Sequence, residues 1–185
     1  MKAINKIKPE YNQIFSSFFF AILGFQIKLL ILEVKPETIV FYRSLLGTFV
    51  VGIFIVFSGN SYSKLFKPHN FLLLFLRSIF GVSAMYFGFS ALQFIPLAQA
   101  TTISFTKVFF VGIFATIFLK EKLELKTILF SFFGFSGIYF IIAPSTFDNF
   151  NGTILSLLSS VFVALGIISS NILIRKNSSS IIVFY

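Results

Sequence analysis

The sequence contains no cysteine, no tryptophan, one histidine and only six acidic residues among 185. Without cysteine it has no disulfide framework and no thiolate nucleophile, and a single histidine cannot build a His-rich metal site. Charged residues make up 11% of the chain, whereas soluble domains carry about 25%. These shortages exclude a soluble enzyme, a nucleic-acid-binding module and a disordered protein. We expect a protein that is not an enzyme, with no catalytic residue, no metal site, no cofactor and no nucleic-acid partner.

Long apolar stretches dominate the chain instead. It is 57% hydrophobic, contains 30 phenylalanines and has a mean hydropathy of +0.95. A helix needs about 20 mainly apolar residues to cross a bilayer. The runs of this kind cover residues 14–32, 38–57, 71–92, 97–119, 127–142 and 152–174, and a seventh begins at Ile181. The sequence therefore predicts an all-α, polytopic membrane protein of about six transmembrane helices in a lipid bilayer.

Basic residues are distributed unequally between the connecting segments. One side of the predicted membrane has ten of them: Lys2, Lys6, Lys8, Lys64, Lys67, Lys120, Lys122, Lys126, Arg175 and Lys176. The other side has Lys35, accompanied by Glu33, Glu37 and Asp148. Because lysine and arginine are retained on the cytoplasmic side, we expect a multi-pass protein of the inner (plasma) membrane. Residues 1–13 would form its cytoplasmic N-terminus.

An internal repeat relates residues 16–42 to residues 159–185 at a constant offset of 143. Both segments begin with a Ser-Ser pair and end with Ile-Val-Phe-Tyr. A repeat unit of five spans is odd, so a second copy would enter the membrane upside down. Inverted repeats are common in secondary transporters, whose substrate sites lie near the bilayer midplane. We expect residues 14–142 to be the first five-helix repeat and residues 152–185 to be the truncated start of the second.

Several short motifs occur in a recognisable order. They are Phe-Tyr-Arg-Ser-Leu-Leu-Gly at 41–47, Leu-Arg-Ser at 76–78, Tyr-Phe-Gly-Phe-Ser-Ala-Leu at 86–92, Ile-Pro-Leu-Ala-Gln-Ala at 95–100 and Phe-Leu-Lys-Glu-Lys-Leu at 118–123. In this order the chain resembles the N-terminal half of EamA-type transporters of the drug/metabolite transporter superfamily. The resemblance implies ten spans in two inverted halves that move small metabolites. That family often has proline in the middle of the fourth span, where this chain has Lys107.

Charged side chains within the predicted spans are the first candidates for a substrate site, because each costs about 2.5–3.5 kcal/mol to insert. Lys107 lies near the middle of the fourth span. It would bind an anionic substrate group or carry a proton, or else pair with a backbone carbonyl or a polar side chain. Arg43 and Arg77 would hold a carboxylate or phosphate bidentately, or else reach lipid headgroups. For Lys28, an interfacial ion pair with Glu33 is the simpler interpretation.

Uncharged polar residues supply the other candidates. Gln99 and Thr102 lie on one face of the fourth span, which would line a cavity or join two helices. Tyr86 would stack against substrate or pack in the core. Small residues at three- or four-residue steps along the third span indicate close helix packing. They are Ser78, Gly81, Ala84, Gly88 and Ala91.

The predicted spans contain lysine and arginine but no aspartate or glutamate, which favours a substrate with a negative group. We therefore expect an alternating-access transporter of an amino acid, a carboxylate or another anion or zwitterion. Its partner would be a missing C-terminal half or a second copy of the chain. A non-transporting remnant of a truncated gene, a membrane assembly partner and a dimerising half-transporter are the alternatives.

Overall fold

A computed structural model describes residues 9–57, 70–120, 129, 133–134, 136–137, 149–175 and 179–184. Within these ranges the chain forms helices and no strand. The helices are α1 (Pro9–Leu30), α2 (Pro36–Phe57), α3 (Phe71–Phe94), α4 (Leu97–Ser104), α5 (Lys107–Leu119), α6 (Phe150–Ile174) and α7 (Ser179–Phe184).

Five apolar segments in this part of the chain are long enough to cross a membrane. They cover Glu10–Leu30, Pro36–Ile55, Phe71–Phe94, Leu97–Leu119 and Phe150–Ile174. This confirms the predicted fold class, a polytopic α-helical membrane protein, and five of the six predicted spans. The sixth, at 127–142, lies mostly outside the described residues.

Helices α3 and α6 form the central antiparallel pair. Arg77 contacts Ser170 near one end of the pair, Ala84 contacts Ser159 in the middle, and Gly152 lies against Phe94 at the other end. Below, we call the end of the bundle with Lys28 and Gly152 the Lys28 end, and the opposite end the Arg175 end. The predicted close packing of small residues along the third span is confirmed at Ala84, Gly88 and Ala91, whereas a Cβ at Gly81 would meet no atom within 4 Å.

Serine hydroxyls on α6 join it to two neighbouring helices. Ser159 Oγ donates to the Ala84 carbonyl of α3 at 2.7 Å. Ser156 Oγ donates to the Ala100 carbonyl of α4 at 3.3 Å. Such bonds between helices hold a membrane bundle together where burial of apolar surface contributes little. They fix α6 against the wall of the cavities described below.

The predicted fourth span is one membrane-crossing segment, Leu97–Leu119, with an irregular two-residue turn between α4 and α5. The amide and the Oγ1 of Thr106 both donate to the Ile103 carbonyl, at 3.0 and 2.7 Å. A threonine that bonds a nearby carbonyl in this way competes with the regular helical pattern. Lys107 is therefore the first residue of α5, and it lies midway along the Leu97–Leu119 span, as the sequence predicts.

Proline at position 107 should be tolerated better than proline further along α5. Among the described residues the Lys107 amide has no acceptor, so Lys107→Pro removes no hydrogen bond. Ile113→Pro, in the interior of α5, should cost about 3 kcal/mol or more because it breaks the helical bonding pattern. Far-ultraviolet circular dichroism and thermal unfolding in detergent micelles would compare the two variants. Equal losses would contradict the interrupted helix.

Candidate functional site

Two adjoining cavities lie among α1, α2, α3, α4 and α6. The larger, of about 550 Å³, lies between α1 and α2 toward the Lys28 end. It is lined by Leu23, Gln26, Ile27, Leu30, Val34, Thr38, Ile39, Tyr42, Arg43 and Leu46. The second, of about 330 Å³, reaches α3, α4 and α6. Both volumes are within the range of small-molecule sites.

Arg43 lies in the wall that the two cavities share. Its guanidinium carbon lies 5.5 Å from the centre of the Phe89 ring, a cation–π contact that holds the planar group in place. None of the six acidic residues falls within the predicted spans. Among the described residues that line these two cavities there is no acid. The guanidinium, whose N–H groups form a fixed fork, is therefore placed to bind a carboxylate or a phosphate of another molecule.

Four hydroxyl side chains line the second cavity, namely Thr101, Ser104, Ser156 and Ser159. Each donates its proton to a backbone carbonyl; Ser104 Oγ, for example, donates to the Thr101 carbonyl at 2.7 Å. A hydroxyl oxygen whose proton is already committed can still accept a hydrogen bond. The cavity therefore offers acceptors for an N–H group beside the cation of Arg43.

Lys28 has a structural partner rather than the acidic one favoured by the sequence. Its Nζ donates to the Leu92 carbonyl and, at 3.1 Å, to the Ile95 carbonyl. These carbonyls lie at the C-terminal end of α3, where a cation satisfies unpaired oxygens and complements the helix dipole. Lys28 therefore fastens α1 to α3 beside the cavities.

Replacing Lys28 with methionine should lower the free energy of unfolding by about 1–2 kcal/mol, since the end of α3 loses its cation. Lys35→Met is the matched control, because Lys35 is exposed near the same end of the bundle. Thermal unfolding of both variants in micelles would measure the difference. A Lys28→Met protein as stable as the control would show that these two bonds contribute nothing.

Arg77 lies toward the Arg175 end, away from Arg43. Its Nε donates to Ser170 Oγ at 3.0 Å, across the α3–α6 pair. It lines a third cavity of about 350 Å³ between these helices. The structure therefore places the two arginines in different cavities.

The other four predicted site residues do not line any of these three cavities. The Lys107 ammonium lies 5.8 Å from the centre of the exposed Phe105 ring. Gln99 is buried, and its Nε2 has no partner among the described residues. Thr102 Oγ1 donates to the Ala98 carbonyl at 2.8 Å, and the Tyr86 ring packs edge-on against Phe87.

Sequence reasoning did not single out the cavity hydroxyls on α6. Ser156, Ser159 and Ser160 follow three- and four-residue steps, so their spacing marks one polar face of the sixth span. In the sequence, the pair at 159–160 stands out only as a match to the pair at 16–17 in the repeat.

The fold is that of a polytopic α-helical membrane protein with an arginine in the wall of two open cavities. The EamA-like transporter family matches residues 12–143, so the chain belongs to that family. The named relatives below are transporters or solute carriers rather than enzymes.

Two bacterial relatives align with most of the chain. The pseudopaline exporter CntI of Pseudomonas aeruginosa is 26% identical over 173 residues, which is 93% of this chain and 60% of the relative. An S-adenosylmethionine uptake transporter of Rickettsia felis is 28% identical over 149 residues, 80% of this chain and 49% of the relative. Solute carrier family 35 member G1 of Mus musculus is 47% identical over 73 residues, 40% of this chain and 20% of the relative. The chain thus spans about half the length of its bacterial relatives. No solved structure matches it significantly.

Proposed function

We propose that the chain is part of a transporter of small metabolites that carry a negative group. The observation that carries this proposal is the position of Arg43, whose cation lies in the shared wall of two open cavities with no acid in any predicted span. In an apolar surrounding such a cation attracts an anion more strongly than it would in water. A lipophilic cation would be repelled at the same place.

A zwitterion such as an amino acid fits the two cavities particularly well. Its carboxylate would be held by Arg43, and its ammonium group would donate to the hydroxyl oxygens of Ser104 or Ser159 in the second cavity. S-adenosylmethionine, which one relative is named for taking up, carries both of these groups together with a sulfonium cation. The same arrangement accepts a simple carboxylate through Arg43 alone.

Four further residues complete the proposed site. The predicted substrate contacts include Lys107, Gln99, Thr102 and Tyr86. They lie outside the three cavities, so they would reach substrate only in another conformation or beside a further helix layer.

A second set of helices would complete the transport path. Residues 14–142 would form one five-helix repeat and residues 152–185 the start of an inverted second one, with alternating access as the two move against each other. A C-terminal half or a second copy of the chain would supply the remaining helices. We place the protein in the inner membrane with its N-terminus in the cytoplasm, on the strength of the lysine distribution.

Transport assays in lipid vesicles test the proposal. The 185-residue chain, and the chain extended by its genomic downstream coding sequence, would be offered labelled amino acids, dicarboxylates, phosphorylated metabolites and S-adenosylmethionine. Tetraphenylphosphonium serves as the cationic control, and Lys107→Ala is run in parallel. We expect transport of a compound that carries a carboxylate or a phosphate, and no transport of tetraphenylphosphonium, which carries neither. Activity of the extended form alone indicates a half-transporter, and activity of the short form indicates a dimer. Silence from both overturns the proposal.

A further inference from the structure

We propose that the cavity around Arg77 is a second binding site for the same negatively charged substrate, and that Met85 and Val163 form the barrier between it and the Arg43 site. The inference rests on the proposed function, because it gives the transported anion a second station. The second site lies at the Arg175 end, and Met85 and Val163 separate it from the Arg43 site.

The two cavities are stacked along the α3–α6 pair. Ala84, Met85 and Val163 line both of them. Ser159 lines only the Arg43 side and Ser170 only the Arg77 side. At 1.5 Å per residue of helix, these two serines are about 16 Å apart along α6. The cavities therefore follow each other across the membrane rather than side by side.

Arg77 is held in an orientation that leaves its charge available. Its Nε donates to Ser170 Oγ, and that hydroxyl donates in turn to the Gly166 carbonyl at 2.8 Å. Among the described residues, the one hydrogen bond of this guanidinium is that of Nε, and Asn171 also lines the cavity. A guanidinium bound through one nitrogen still presents the remaining N–H groups to a carboxylate or phosphate.

Met85 and Val163 are both partly buried and project from opposite helices. Methionine is flexible, so its side chain can change rotamer without moving the backbone. A substrate that leaves Arg43 would have to pass this pair to reach Arg77. Met85 would therefore control the movement of substrate between the two cavities. It would not contribute to the binding of substrate at Arg43 or at Arg77.

Cysteine accessibility can test the second site without knowledge of the transported compound, since the chain has no native cysteine. Gly166→Cys puts a thiol in the Arg77 cavity, where an added Cβ meets no atom within 4 Å. Ser104→Cys does the same for the Arg43 cavity. Each thiol is reacted with an anionic and with a cationic methanethiosulfonate, and the ratio of the two rates reports the local charge.

At position 166, we expect Arg77→Gln to lower the anionic-to-cationic rate ratio roughly tenfold, as loss of one nearby unit charge predicts. Arg77→Lys, which keeps the charge, and Arg43→Gln should leave that ratio unchanged. At position 104, Arg43→Gln should lower the rate ratio and Arg77→Gln should leave it unchanged. The second site is overturned if Arg77→Gln does not change the rate ratio at position 166, or if Arg43→Gln lowers that ratio by the same factor. Arg77→Lys also guards against a folding artefact, because it loses the fork geometry but not the charge.

Two further arms identify the ligand source and the barrier. Succinate and inorganic phosphate should slow labelling at position 166 in vesicles of neutral phosphatidylcholine. Protection by added phosphatidylglycerol alone would make the site a lipid headgroup contact and overturn the proposal. With reagent added only on the Lys28 side of sealed vesicles, Met85→Ala should speed labelling at position 166, whereas Met85→Leu should not; equal rates in both variants and in the original protein overturn the barrier. These readouts do not depend on transport, so they fail separately from the proposed function.

Discussion

Arg43→Gln should abolish most binding of the anionic substrate, with a loss of roughly 30-fold or more. The reason is that removing one partner of a buried, hydrogen-bonded charge pair costs about 2–5 kcal/mol. Glutamine keeps much of the side chain's length and polarity, so the change isolates the charge. Equilibrium binding of the compound identified by the vesicle assays, measured on the protein in micelles, gives the affinity directly.

Arg43→Lys provides the matched control. It retains the positive charge but not the bidentate fork, so its affinity should lie between that of the original protein and that of Arg43→Gln. Thermal unfolding of Arg43→Lys should match that of the original protein, and Arg43→Gln should lose no more than about 1 kcal/mol, the scale of the cation–π contact with the Phe89 ring. Equal affinity in Arg43→Gln and the original protein would remove Arg43 from the site.

Gly152→Ala should destabilise the bundle by about 2–3 kcal/mol, the scale of overpacking a close contact. A Cβ at this position would lie 2.7 Å from Ile95 Cγ2 and 2.8 Å from Phe94 Cβ. Both distances are far below normal contact, so α6 would have to move away from the end of α3. Since α3 and α6 also form the walls of two cavities, the displacement should weaken substrate binding as well.

Gly166→Ala on the same helix is the control, because its added Cβ meets no atom within 4 Å. There, alanine should stabilise the helix by roughly 0.5–1 kcal/mol through the lower flexibility of the unfolded chain. The two glycine substitutions are therefore expected to shift thermal unfolding in opposite directions. A shift of the same sign in both would mean that the α3–α6 contact at Gly152 is looser than the structure shows.

The sequence by itself determined the membrane class, most of the spans and the excess of cations over acids within them. These properties are local: an apolar run of about 20 residues crosses a bilayer whatever lies beside it. The packing face of the third span could be predicted for the same reason, because the spacing of its small residues places them on one side of the helix.

Only the tertiary structure decided which cation faces a cavity. Arg43, Arg77 and Lys107 are equivalent in sequence, as isolated charges in apolar runs, yet the first two line cavities and the third lies over Phe105. Lys28 bonds carbonyls 64 and 67 residues away, and Ser159 bonds one 75 residues away. Helical periodicity specifies the face on which a residue lies, but the neighbour of that face depends on how distant helices pack.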